Sequence, residues 1–484
     1  MLSWLSGDWF TANEYWSSRL VFQRMLAAVY LVAFICALNQ FRALLGERGL
    51  TPIPEFLRGT PFRRAPSLFQ LHYSDRFFAA VSWTGIAVSV SLLVGVADLL
   101  PVWACLLLWA LPWVLYLSIV NVGQIWYSFG WESLLLETGF IAIFLGPAHT
   151  GVPVLVLWLL LWLLFRLEFG AGLIKMRGDR AWRDLTALHY HHETQPMPGP
   201  LSWYFHHLPP WAHKAEVVAN HITQLIVPFA LFAPQPVASV AAGVVIVTQG
   251  WLVLSGNFSW LNFLAITLAV SAIDGTLVGA SPPDELATPP TWYGAVVLAV
   301  TALVVVLSYW PVRNLLRRKQ VMNYSFNQFH LVNTYGAFGT VTRERYEVIF
   351  EGTDEDTIGL YTTWREYEFK GKPGDPYRRP PQIAPYHLRL DWLLWFLSLS
   401  SRYGGQWLPV LVTKLLTGDD RIRRLLRHDP FEGSAPKYVR ARLFHYRFTT
   451  PAERAETGAW WVRRPVGSVV RTCRLGPDGT PVPV

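Results

Sequence analysis

The sequence predicts a polytopic α-helical membrane protein of about nine transmembrane helices, with a C-terminal extramembrane domain that is mostly β or α+β. Three observations carry this expectation. Of 484 residues, 52% are hydrophobic and only 15% charged, whereas soluble domains carry about a quarter charged residues. Apolar runs of span length recur up to residue 312. Beyond residue 320 the pattern changes to alternating apolar and polar residues broken by Gly, Pro and Asp clusters, as half-buried strands and turns require.

Residues 1–18 read as an interfacial aromatic segment. MLSWLSGDWFTANEYW carries acids, lacks a basic start and offers no small-residue cleavage site, so it is not a signal peptide. A helical bundle is expected over 19–319, with spans at 19–40, 77–99, 101–120, 131–147, 152–174, 215–233, 236–254, 260–279 and 292–312, each near the length a bilayer demands. The fourth is short and holds Glu132 and Glu137; the sixth starts amphipathic. Both are expected inside the bundle. Loops 41–76 and 175–214 are basic, as is RNLLRRK after the ninth span. With nine spans, all three fall on one face, together with the C-terminal domain at 320–484. There RYEVIFEG, REYEFKG, HLRLDW and VRARLFHYRFTT read as strands, with helices around LDWLLWFLSLSSRY and VLVTKLLTGDDRIRRLL.

The net charge of +8 clusters beside apolar spans, where headgroups and topology account for it. No nucleic-acid motif accompanies it. Cys36, Cys105 and Cys473 form no CxxC and no disulfide framework. No nucleophile elbow, P-loop or dinucleotide fingerprint stands in a suitable context, which leaves hydrolase and nucleotide-driven readings without support.

The chemistry-bearing stretch is RLEFGAGLIKMRGDRAWRDL, residues 166–185. On one continuous helix, Glu168, Gly172, Lys175 and Asp179 would share a face. Lys175 stands where the apolar run ends. It either snorkels to headgroups with Arg177 or is desolvated and reaches a substrate. The next stretch, 189–221, holds seven of the thirteen histidines, among them His191, His192, His206 and His207. Their HxHHE order is not HExxH, and the intervening prolines exclude one continuous helix, so no metal is expected. Intramembrane ionisable groups are functional candidates by default, and Glu137 is the foremost of them.

WESLLLETGFIAIFLGP, RLEFGAGLIKMRGDRAWRDLTALHYHHETQPMPGPLSWYFHHLP, NTYGAFGTVTRERYEV, WREYEFKGKPGDP, APYHLRLDW and YRFTT with ETGAWWVR resemble the lipase maturation factor family along nearly the whole chain. The resemblance implies a membrane-bound factor that helps exported proteins, lipases in animals, to fold and assemble. Its members in animals reside in the endoplasmic reticulum. The arginine-rich, lysine-poor composition points here to a bacterial inner membrane.

A more distant similarity links this family to vitamin K-dependent γ-carboxylases, whose pattern AG..K...DW..G carries a lysine base. Ala171, Gly172 and Lys175 match its start. Asp179 and Trp182 match with shifted spacing, and Leu185 stands where glycine is expected. An alternative reading follows: a membrane enzyme using Lys175 as base, assisted by Glu168, His191 or His192, on a quinone- or lipid-like substrate. Arg177, Asp179, Trp182, His206, His207 and Glu137 would then contact the substrate or client. No cofactor is demanded by any motif; a lipid or quinone is the bound group this similarity allows. The partners implied are exported clients and membrane lipids, not nucleic acid. The charge pattern alone would put the basic face in the cytoplasm, whereas the family resemblance places the corresponding loops and the C-terminal domain on the exported side.

Overall fold

A computed structural model describes residues 8–484; residues 1–7 of the expected interfacial segment lie outside the described residues. In chain order the main helices are α1 (Asn13–Leu44), α2 (Asp75–Leu93), α3 (Val102–Val122), α4 (Gly130–Ala142), α5 (Val154–Arg177), α6 (Leu188–Thr194), α7 (Pro210–Leu225), α8 (Val237–Ser255), α9 (Leu261–Val270), α10 (Thr291–Leu316) and α11 (Arg389–Leu399). Among the described residues six have the length and hydropathy to cross a bilayer: α1, α2, α3, α5, α8 and α10. Length and composition by themselves mark these six. The other three expected spans hold α4, α7 and α9, of 13, 16 and 10 residues. In α4 nearly every side chain is buried, so its neighbours, not its length, shield it from lipid.

Loop contacts define two ends of the bundle. At one, Trp16 Nε1 donates to the Ala148 carbonyl at 2.7 Å, Ser18 Oγ to that of Ile273 at 2.5 Å, and Gln235 Nε2 to the Tyr15 hydroxyl at 2.8 Å. At the other, Asn121 Nδ2 donates to the carbonyls of Pro66 at 2.8 Å and Gln328 at 3.0 Å, and Gln40 Nε2 donates to that of His387 at 2.7 Å. Arg177 Nη1 donates there to Gln320 Oε1 at 3.2 Å. The basic loops and the C-terminal region thus gather at one end.

The C-terminal region contains a five-stranded antiparallel sheet in the order β2-β1-β5-β6-β7, with β1 Arg345–Thr353, β2 Arg365–Glu366, β5 Tyr438–Phe448, β6 Trp461–Leu475 and β7 Pro481–Pro483; β3 Glu368–Phe369 pairs with β4 Leu426–His428 apart from it. The β1–β5 register runs from Arg345 opposite Tyr446 to Thr353 opposite Tyr438. HLRLDW is not a strand: Arg389 opens α11, which packs against β1. Its alternation is short, and the apolar run LLWFLSL continues it at helical length, so helix wins.

Buried charge joins the C-terminal region to the bundle. Arg389 Nη1 donates to Glu132 Oε1 on α4 and to the Trp126 carbonyl, both at 2.6 Å, while Tyr116 Oη donates to Glu132 Oε2 at 2.5 Å. Both charged side chains are fully buried. Arg345 at the start of β1 donates to the carbonyls of Glu193 at 2.9 Å, Gln195 at 2.5 Å and Pro196 at 3.1 Å, and pairs with Glu347, which also holds Lys372 at 2.6 Å. Removing one member of such a pair strands the other charge in a dry site. Glu132→Ala is expected to destabilise the fold by about 3–5 kcal/mol, measured by thermal or denaturant unfolding in detergent. Adding Arg389→Met to it should restore much of that loss.

Candidate functional site at the end of the fifth helix

α5 starts after Pro153 and runs through an all-apolar stretch before Arg166, Glu168 and Lys175. Its packing requires glycine: a Cβ on Gly170 would stand 2.6 Å from the Tyr335 carbonyl oxygen, and one on Gly172 2.7 Å from the Leu225 side chain of α7. This close approach sets Lys175 against α7. Its Nζ donates to Asn220 Oδ1 and Gln224 Oε1, both at 2.9 Å, and lies 4.7 Å from the centre of the Trp182 ring. With 5% exposure, Lys175 is a sealed cation held by two amides and an aromatic face, not a side chain reaching for headgroups.

Glu168 is its electrostatic neighbour but makes no direct bond to it. Its Oε1 accepts from Gln249 Nε2 at 2.6 Å, Gln249 in turn accepts from Asn262 at 2.7 Å, and Oε2 is buried with no protein donor. Among the described residues no hydrogen bond or ion pair joins Lys175 to Glu168, His191 or His192. The four residues singled out as a catalytic set are neighbours rather than a bonded constellation.

Asp179 does not continue the face of α5. The helix ends at Gly178, where a Cβ would stand 2.2 Å from the Gly339 carbonyl oxygen, and the Asp179 N–H donates to that oxygen at 2.7 Å. Asp179 instead caps the short helix Arg180–Arg183, accepting from the Ala181 N–H at 2.9 Å, and binds Arg343 at 2.8 Å. Trp182 Nε1 donates to the Phe338 carbonyl at 2.7 Å. Arg177 is exposed. Segment 333–343 thus folds over the end of α5.

Glu137 belongs to a second buried network. It pairs with Arg166 of α5, and its Oε2 accepts from the Asn333 N–H and Nδ2, each at 2.8 Å, and from the Tyr335 hydroxyl at 2.7 Å. Every lone pair of importance is engaged, so the carboxylate anchors the NTY segment instead of facing a cavity.

The histidines form a third group. His191 packs between Phe258 and Phe338; burial first, then the neighbouring His192 and Lys175, lower its pKa to about 3, leaving it neutral at working pH. His206 is lowered to about 3 as well, by burial and then by neighbouring histidines, and its Nε2 stands 3.7 Å from Glu193 Oε2. His207 lies on the Trp203 ring, with Nδ1 2.7 Å from the Trp203 carbonyl oxygen. His192 meets Glu216 at 3.5 Å. Sequence reasoning missed Glu216, Asn220, Gln249 and Asn262. Gln249 and Asn262 were visible as polar residues on otherwise apolar helices, Asn220 as one of several polar residues on amphipathic α7, and Glu216 as the end of an HxxE spacing from His213.

This architecture defines an integral multi-pass membrane protein whose sheet-bearing C-terminal region is tied to the helices by the buried Glu132–Arg389 ion pair and by buried hydrogen bonds. A model of the lipase maturation factor transmembrane domain matches residues 17–280, and one of the lipase maturation factor C-terminal domain matches 331–471. The chain is 41% identical to human lipase maturation factor 1 over 94% of its length and 88% of the relative's, and 39% identical to the mouse protein over 96% and 88%. It is 28% identical to human lipase maturation factor 2 over 95% and 83%. No solved structure matches. The chain belongs to the lipase maturation factor family.

The sealed ammonium makes a separable prediction. Lys175→Met keeps the length of the side chain but removes three donors, leaving the buried Gln224 oxygen and the half-buried Asn220 oxygen without them. The expected cost is about 1–3 kcal/mol of stability, read by unfolding in detergent. A variant as stable as the parent would show that Lys175 is held for another purpose.

Proposed function

We propose that this chain is a membrane-bound maturation factor that assists the folding or assembly of exported proteins, working from a bacterial inner membrane with its C-terminal region on the exported side. Lipases are the client class that the relatives' names indicate. The observation that carries this reading is similarity to lipase maturation factor 1 over almost the full length of both chains. A client-handling role requires an accessible surface, and β6 supplies one. It pairs with β5 from Trp461 to Arg474 but with β7 only from Cys473 to Leu475. Among the described residues its other edge is therefore open over 462–471, where Val462 and Val466 are exposed. Such an edge accepts an extended segment of a partly folded partner through main-chain hydrogen bonds. Pro465 and the irregular β5–β6 register blunt it against pairing with itself.

The enzymatic alternative rests on Lys175 as a base. Its two amide acceptors and the Trp182 ring occupy the directions from which a substrate would approach, so the geometry supports the maturation reading better.

The test is co-expression with a secreted homodimeric lipase, measuring secreted activity per mass of lipase. The chain is expected to raise this ratio, and an unchanged ratio would overturn the proposal. A photo-crosslinking residue at Val466 should join the client during export, whereas one at Leu360, fully exposed on another loop, should not. A reporter fused after Val484 that matures only outside the cytoplasm is expected to be active; activity of a cytoplasm-only reporter would reverse the sidedness.

A further inference from the structure

We propose that His192, His213 and Glu216 form a binding site for a divalent ion of the zinc class, which cross-links the short helix α6 to the long helix α7. One ligand atom from each residue lies within 4.8 Å of the other two. His213 and Glu216 stand three residues apart on α7, so they share a face, and His192 arrives from α6 across the proline-rich turn.

Four atoms make the case that this is a ligand site and not a packed histidine cluster. His192 is 1% exposed, and neither of its ring nitrogens has a protein hydrogen-bond partner; Nδ1 of His213 and Oε2 of Glu216 are buried and unpartnered in the same way. The 3.5 Å from His192 Nε2 to Glu216 Oε2 is long for a hydrogen bond. It fits two ligands on one tetrahedral ion, which bonds at about 2.0–2.2 Å to each and so separates them by about 3.4 Å.

The outer contacts fit the same reading. His213 Nε2 stands 3.3 Å from the His206 carbonyl oxygen, so an Nε2–H donor there turns Nδ1 to the remaining side. Glu216 Oε1 accepts from Trp251 Nε1 of α8 at 2.8 Å, leaving Oε2 for the ion. Metal-ligating imidazoles and carboxylates are commonly oriented through their second atoms in this manner. Phe205 stacks on the His192 ring with centroids 5.5 Å apart, restricting its rotation. Closing the set from 4.8 Å needs side-chain adjustment of about 1.4 Å, within rotamer freedom. Two neutral imidazoles and a carboxylate suit zinc and its neighbours better than calcium or magnesium, which prefer oxygen ligands. Three protein ligands leave a fourth position for water.

The experiment uses the full chain in detergent, purified through a tag without histidine and dialysed against chelator, then titrated with Co²⁺ as the spectroscopic probe and analysed for zinc before dialysis. One equivalent of zinc per chain, visible ligand-field bands on Co²⁺ addition, and a melting temperature that falls with chelation and recovers with zinc are expected. Glu216→Gln and His213→Ala should lose the metal and the chelator response, while the exposed His72→Ala keeps both. If a variant fails to fold, the parent's stoichiometry and Co²⁺ spectrum decide the matter. A parent that binds no metal, or variants that keep it, would overturn the site.

Discussion

The structure depends on charges that have been taken out of water and can be satisfied only by residues far away in the chain. Glu132 and Glu137 sit one helical turn and a half apart on α4, both buried, and an isolated carboxylate there would cost more than local apolar packing returns. Glu132 finds its cation at Arg389, in the C-terminal region; Glu137 finds Arg166 on α5 and three donors from the 333–335 segment. The C-terminal region is therefore no separate appendage. Its loops complete the interior of the helical bundle, and the bundle's carboxylates hold those loops.

This constraint explains why the resemblance was carried by motifs scattered over the whole chain. WESLLLE supplies Glu132 and Glu137, RLEFG supplies Arg166, NTY supplies Asn333 and Tyr335, and HLRLDW supplies Arg389. They meet in two buried clusters. RERYEV and KGKPGD meet in a third, where Arg345, Glu347 and Lys372 sit beneath the 193–196 turn. The motifs read as a list in the sequence because nothing in local spacing shows which carboxylate belongs to which guanidinium. Partner choice across as many as 257 residues is set by tertiary packing.

The fold class, the gathering of basic segments and the sheet were legible because apolar run length and alternation are local signals. The short helices were not. A ten-residue run such as LNFLAITLAV has the composition of a span, and only its neighbours show that it ends at Val270. At the candidate site, Lys175 was legible as the cation closing an apolar run. Its sealing was not, because Asn220 and Gln224 lie on a helix whose approach depends on Gly172. Asp179 was misplaced because the break at Gly178 comes from Gly339, a contact across more than 160 residues.

The histidine stretch shows the same limit from the other side. Prolines do prevent a single helix from presenting these imidazoles, and that argument was sound as far as it went. A proline-rich turn can also fold one helix back on another. Residues 195–209 return the chain so that His192 faces His213 and Glu216, with Trp203 of the turn fixed to the Thr449 carbonyl at 2.8 Å and Arg345 holding the turn's own carbonyls. The C-terminal sheet thus positions the loop that brings the ligands together. An ion at that point would tie α6 to α7 about one to two turns from the amides that hold Lys175. The two polar sites then act as adjoining fasteners on α7, one binding it to α5 through a cation the chain carries itself and the other binding it to α6 through a cation it would acquire.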